Sequence, residues 1–323
     1  MKALRRAFET LFFLIERAVT AALYPVCLLR KTLGAPAGVP ILMYHQVGGR
    51  PSCHDRVSPE RFERQIRAIL DAGYRVIPLS ELIHVLEQGR VADLGRAAVL
   101  TFDDGYRGQF AFAYPILRWN RLPATFFVTA GSIGTNTFFP HLSFLNAARA
   151  SETSPPLAWL PLSWDEVKEM AGHGIDIEPH AVSHRSLGHL AAGEAAFEAR
   201  RSKELLERRL GVPVDLFAYP LGWEAYSNFH RGNQDILRAT GYRAACTTVV
   251  GRSGPGVDPL ALPRIPMEQG DGPFRVRCKL AGAYDWVGTV KSFCQRLLAR
   301  RDRVDAGLPC DEPSGLGARF TRT

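Results

Sequence analysis

The sequence predicts an α/β protein in which a parallel sheet, open or closed into a barrel, is interleaved with helices. From Ile41 onward, short apolar runs alternate with amphipathic stretches, the order that produces parallel strands joined by helical crossovers. The 323 residues are 46% hydrophobic, enough for one large domain or two ordinary ones around a packed core. A charged fraction of 22%, with 18 Phe and no long polar tract, excludes a mainly disordered chain.

Residues 1–38 read differently from the rest. Leu4, Phe8, Leu11, Phe12, Ile15, Val19, Ala22 and Leu23 recur at three- and four-residue spacing, which is helical. Glu9, Glu16 and Arg17 interrupt the run, so a signal-peptide core fits badly. Arg5, Arg6, Arg17, Arg30 and Lys31 surround it, as suits an amphipathic helix on an anionic membrane face. The alternative is a helix packed on the following domain. No apolar window is long enough to span a bilayer, and Gly34, Pro36, Gly38 and Pro40 mark a linker.

A catalytic-sized domain is expected over 39–285. Ile41–His45 is its first strand. Ser58 and Pro59 open a helix that Gly73 closes. Arg75–Pro78 is a strand, Glu81–Gln88 a helix, and Ala97–Phe102 a strand apolar enough to be buried on both faces. Tyr106–Asn120 reads as a helix broken near Pro115, and Ala124–Thr129 as the next strand. Residues 132–160 read as an irregular insertion. Ser163-Trp164-Asp165-Glu166 is a capping box. Ile175–Glu178, Leu216–Tyr219 and Arg243–Thr248 follow as strands, separated by helices at 190–210 and 233–240. No internal repeat is evident, and 286–323 reads as a basic helix with a peripheral or disordered tail.

The cysteines (27, 53, 246, 278, 294, 310) are scattered and contain no C-x-x-C pair, against a disulfide framework or thiolate zinc site. Lys and Arg total 40 against 32 Asp and Glu, a formal charge of +8. No nucleic-acid-binding pattern accompanies it. A positive surface better suits phospholipid or an anionic lipid-linked sugar. With no clean signal peptide, the expected location is the cytoplasm, peripheral at the inner membrane.

Three clusters carry chemistry, each near the C-terminal end of an expected strand, where parallel folds place their active sites. Thr101-Phe102-Asp103-Asp104-Gly105-Tyr106 puts two carboxylates where the chain leaves a buried strand; alone, Asp-Asp-Gly is usually a solvated turn. His180-Ala181-Val182-Ser183-His184 places two histidines on one side of a helical turn, able to share a metal; a lone pair at that spacing is as often accidental. Asp104, His180 and His184 together form the ligand set of an open catalytic Zn²⁺ site, shared with non-haem iron centres. Such a metal lowers the pKa of a bound water to about 7. The third cluster, Phe217-Ala218-Tyr219-Pro220-Leu221-Gly222-Trp223, can turn backbone N–H groups toward a site.

These motifs, together with I-L-M-Y-H-Q-V at 41–47, A-T-F-F-V at 124–128, S-W-D-E-V at 163–167 and L-P-R-I-P at 262–266, resemble those of the polysaccharide deacetylases, the NodB-homology or carbohydrate esterase family 4 group. The likeness, over roughly 39–282, is closest to members acting on bacterial exopolysaccharides. It implies a distorted (β/α) barrel and metal-dependent hydrolysis of an N-acetyl group on a hexosamine, with Zn²⁺, or Co²⁺, as cofactor. By the resemblance Asp103 is the general base, Asp104, His180 and His184 are metal ligands, and the Tyr219 backbone N–H is an oxyanion donor. Tyr106, Pro220 and Trp223 are expected to line the substrate.

Amide cleavage also needs an acid to protonate the departing amine. The familiar late Leu-x-His motif is replaced here by Leu262-Pro263-Arg264. His45 is the expected substitute, since an imidazole titrates near ~6.5. Arg264 is expected to pair with Asp103 and hold it ionised. The usual arginine before the Tyr-Pro pair is absent. Ala181 and Glu178-Pro179 also depart from the common pattern, so the metal loop is expected to differ in detail. The expected partner is an amino-sugar polysaccharide or its lipid-linked precursor. Alternatives are deacetylation or deformylation of a polyprenyl-linked sugar and a non-catalytic sugar-binding module. A non-haem iron oxygenase would need a close His-x-Asp/Glu motif that is absent.

Overall fold

The computed structural model describes residues 2–33, 38–48, 56–137, 139, 157–222 and 228–290. A long N-terminal helix, α1 (Lys2–Thr32), precedes β1 (Ile41–Tyr44) and two short strands, β2 (Gln46–Val47) and β3 (Arg56–Val57). Then come α2 (Pro59–Asp71), β4 (Arg75–Val76), α3 (Leu79–Glu87), β5 (Ala97–Phe102), α4 (Tyr114–Trp119) and β6 (Thr125–Val128). The second half continues with α5 (Trp164–Gly172), β7 (Asp176–Pro179), α6 (Ala192–Leu210) and β8 (Leu216–Ala218). It ends with α7 (Arg231–Thr240), β9 (Ala244–Val250), β10 (Leu262–Pro266) and α8 (Pro273–Ala281).

The main sheet runs β7-β6-β5-β1-β10-β9-β8, all neighbours parallel, with β4 paired to the first residues of β5. The end strands β7 and β8 meet across a seam where side chains replace the ladder. The Leu216 N–H donates to the Glu178 carboxylate at 3.0 Å, and His180 Nδ1 lies 2.8 Å from the Ala218 carbonyl oxygen. The sheet is thus a nearly closed, distorted (β/α) barrel.

The pleat decides which residues reach the site. Leu42, Tyr44, Leu100, Phe102 and Phe126 pack outward under the helices. Ile41, Val99, Phe127, Ala218, Cys246 and Leu262 form a separate inner cluster. With a period of two, the inner row of β5 leads through Thr101 to Asp103, that of β1 to His45 and that of β7 to His180. Phe102 stacks between Tyr44 and Phe126, at 5.2 and 4.4 Å between centroids, locking the catalytic end of the three strands.

Local signals set the helix ends. The Ser58 hydroxyl accepts the Arg61 N–H at 3.2 Å with Pro59 at the first helical position. Ser163 and Glu166 form the expected capping box on α5.

One strand carries no clear sequence signal, and one expectation, for residues 180–184, needs correction. Leu262–Pro266 is a central strand: its prolines argue against one, but the register shifts beside Pro263. Residues 107–119 are helical, with an irregularity just before Pro115, as expected. Tyr106 bridges to Pro161, a π-helical turn (Gln109–Ala113) follows, and Pro115 sits in the first turn of α4. Residues 180–184 are an irregular loop with Ala181 and His184 at φ near 60°, so loop strain rather than helical spacing brings the histidines together. Most of the 132–160 insertion, and everything from 291, lies outside the described residues.

Candidate active site

Asp103 follows β5, and its carboxylate is completely buried against Arg264 of β10. The guanidinium donates to both carboxylate oxygens, at 2.7 and 2.6 Å, to Thr101 Oγ1 at 3.2 Å and to the Thr247 carbonyl at 2.8 Å. Burial alone would raise the Asp103 pKa, but Arg264, His180 and His45 together hold it below the usual carboxylate value. The expected pairing is present, from two strands that are far apart in sequence. His45, at the end of β1, places Nε2 3.9 Å from Asp103 Oδ2 and keeps its side chain 28% exposed.

Asp104 sits beside this pair at φ 74°, and Gly105 follows at φ 84°. A Cβ on Gly105 would come within 3.0 Å of Val128, so the turn requires glycine there. The strained turn swings the Asp104 side chain away from that of Asp103 and toward the histidines. Asp104 Oδ1 lies 3.6 Å from His180 Nε2 and 3.0 Å from His184 Nε2. The three ligand atoms all lie within 4.8 Å of one another, and all three side chains are buried.

The donor set fits a divalent metal. His180 Nδ1 is occupied by the Ala218 carbonyl, which leaves Nε2 with its lone pair toward Asp104. Burial, partly opposed by Asp103, lowers the His180 pKa to about 4, so the ring is neutral near pH 7.

Two supporting residues carry no motif and were missed from sequence. Glu198, on α6, accepts the Val182 and Ser183 N–H groups at 2.8 and 2.9 Å and the Ser183 hydroxyl at 2.5 Å. It therefore holds the loop between the two histidines. Gln109, in the π-helical turn, donates to the His45 and Asp103 carbonyls at 2.7 and 2.5 Å, tying the ends of β1 and β5 together. The Glu198 spacing to the histidine pair is not a pattern; only the topology makes it local.

Three site expectations change. The Tyr219 N–H donates to the Cys246 carbonyl at 3.0 Å in the β8–β9 ladder, so it is not free to face an oxyanion. The Tyr219 ring packs outward, stacked on Phe229, with its hydroxyl on the Leu260 carbonyl. Pro220 is buried and has no N–H, which makes Leu221, at φ 65°, the first further backbone donor on the turn. Thr248 pins that turn, its hydroxyl donating to the Leu221 carbonyl and its N–H to that of Gly222. Tyr106 is buried edge-on to Phe139 and Trp159, packing beneath the rim instead of facing a ligand. Trp223 lies outside the described residues.

A family model for polysaccharide deacetylases matches residues 91–245, a span that includes Asp103, Asp104, His180 and His184 but not His45 or Arg264. The chain is 29% identical over 238 residues to YxkH of Bacillus subtilis (strain 168), which bears a polysaccharide deacetylase name; the match covers 73% of each protein. It is 25% identical over 169 residues to a poly-beta-1,6-N-acetyl-D-glucosamine N-deacetylase of Staphylococcus aureus (strain N315), covering 51% of this chain and 53% of the relative. Among solved structures, the Streptococcus pyogenes deacetylase PplD superposes with a TM-score of 0.62 at 24% identity, covering 76% of this chain and 99% of the other. IcaB from Ammonifex degensii gives 0.61 at 24%, covering 76% and 98%. Residues 91–245 thus match the polysaccharide deacetylase family model, and in barrel and motif order the chain is similar to proteins of that name.

Proposed function

We propose that the chain is a zinc-dependent N-deacetylase acting on an N-acetylhexosamine polymer or on its precursor. The observation that carries this reading is the side-by-side placement of two differently held carboxylates. Asp104 converges with His180 and His184, while Asp103 is clamped by Arg264 and kept from the ligand cluster. The staphylococcal relative, a poly-N-acetylglucosamine deacetylase by name, supports the substrate class.

Asp104, His180 and His184 would hold the metal, which polarises the acetyl carbonyl and acidifies water when bound. Asp103 takes the proton of the attacking water. Arg264 keeps that carboxylate ionised and fixes its orientation, at the cost of lowering its basicity. His45, partly exposed and next to Asp103, delivers a proton to the departing amine, which otherwise leaves poorly. The Leu221 N–H, in place of that of Tyr219, supplies the backbone donor to the carbonyl oxygen as charge develops there.

The test is acetate and free-amine release from N-acetylglucosamine oligomers by zinc-loaded protein. Asp103→Asn is expected to keep its metal and lose roughly 10²–10⁴-fold in rate. Circular dichroism must confirm folding, because the change leaves Arg264 buried opposite a neutral amide. Undiminished release by the folded variant would refute the base assignment.

A further inference from the structure

Helix α1 buries two polar residues and exposes much of its apolar side. Glu16 and Thr20 are only 3% and 2% exposed, whereas Leu14 is 58%, Val26 51%, Leu29 58% and Leu33 75% exposed. The inward anchors explain the orientation. Arg275 of α8 pairs with Glu16 at 2.8 Å, and Trp286 Nε1 donates to Thr20 Oγ1 at 3.2 Å. Tyr24 packs edge-on to Phe274, 5.5 Å between centroids. Arg275 and Lys279 in turn share the buried Asp271, so the helix is fastened to the loop and helix that follow β10.

At about 100° per residue, Leu14, Ala18, Ala22, Pro25, Val26, Leu29 and Leu33 fall in one continuous stripe opposite Glu16 and Thr20. Every member of the stripe is exposed. Phe274, 49% exposed beside Tyr24, adds apolar area on the catalytic domain. Exposed arginines flank the stripe, Arg17 on one side and Arg30 on the other. No described helix is long and apolar enough to cross a membrane. A helix with an apolar outer stripe and cationic edges suits the interfacial region of a bilayer, where acyl chains meet headgroups.

We propose that the outer stripe of α1 seats the protein on an anionic lipid surface, with Leu14, Val26, Leu29 and Leu33 entering the acyl boundary and Arg17 and Arg30 meeting acidic headgroups. Charge complementarity selects this occupant over a second copy of the chain, whose stripe would bring the same arginines face to face. Arg17 also donates to the Gly270 carbonyl at 2.9 Å, in the loop leaving the C-terminal end of β10. That end of the barrel also carries Asp103 and His45, so the lipid-facing helix is joined to the rim of the candidate active site. The proposal stands on the helix alone and survives failure of the deacetylase reading.

The test is flotation of the full chain with phosphatidylcholine vesicles and with vesicles holding about 30% phosphatidylglycerol, at about 0.15 M salt. The expected result is binding to the anionic vesicles and roughly tenfold or greater loss of it in Leu14→Glu/Leu29→Glu, with the melting temperature and sedimentation of that variant unchanged. Three outcomes would overturn the proposal. One is wild-type protein that ignores both vesicle types, and another is a double variant that binds as well as wild type. The third is a wild-type dimer that the double substitution dissociates, which would give the stripe to a second copy instead.

Discussion

In the proposed mechanism, His45 and Asp103 divide the proton chemistry between a partly exposed imidazole and a buried carboxylate held by Arg264. If His45 is the acid, His45→Ala slows amide substrates by roughly 10²–10⁴-fold. It spares activated aryl esters, whose leaving group needs no proton. Equal losses on both substrates in steady-state assays would remove His45 from the acid role. Glu198 is not among the candidate metal ligands, yet its carboxylate collects three donors from the loop between His180 and His184. Glu198→Gln is expected to weaken zinc affinity by about 10–100-fold, read by competition with a chromophoric chelator, while the barrel stays folded. An unchanged affinity would show that the loop holds its shape without it. The clustering of Asp104, His180 and His184 was legible in the sequence because these residues sit in short motifs at strand ends. Glu198 and Gln109 were not, since their partners lie on other elements and nothing local marks them.

At the scale of elements, the strands that carry the site were mostly legible because both-face burial gives them short continuous apolar runs. Ala97–Phe102 shows this best: its predicted and observed limits coincide. β10 escaped because Pro263 and Pro266 break the strand pattern, and only the register shift against β9 admits it. The oxyanion assignment failed for a related reason. A motif gives the order of Tyr219, Pro220 and Leu221, but not which N–H the β8–β9 ladder consumes. Turn geometry decides that, and it is set by Thr248 on the neighbouring strand.

For the whole molecule, the seam between β7 and β8 is where the barrel depends on pH. Asp176 and Glu178 lie on the inner row of β7, facing Asp215. Burial, reinforced by Asp215, raises the Asp176 pKa from its ordinary 3.8 to about 6. Burial likewise holds Glu178 well above the usual carboxylate value, although the Leu216 N–H favours its charged form. A carboxyl raised in the folded state lends stability that is complete below pH 3.8 and lost as the pH climbs through about 6. Asp176→Asn is therefore expected to be more stable than wild type above that range, by about 1–3 kcal/mol, and to match it near the bottom of it. Urea midpoints at the two extremes check this; a variant weaker than wild type on the alkaline side would contradict it.

Asp104, His180 and His184 would hold the single metal on which the proposed deacetylation depends. Acetate release from N-acetylglucosamine oligomers should be followed as zinc is returned to metal-stripped protein. The expected trace rises from nothing to a plateau at one zinc per chain, and His184→Ala needs far more zinc to reach any activity. Release by the stripped protein, or a His184→Ala trace that overlays wild type, would contradict it.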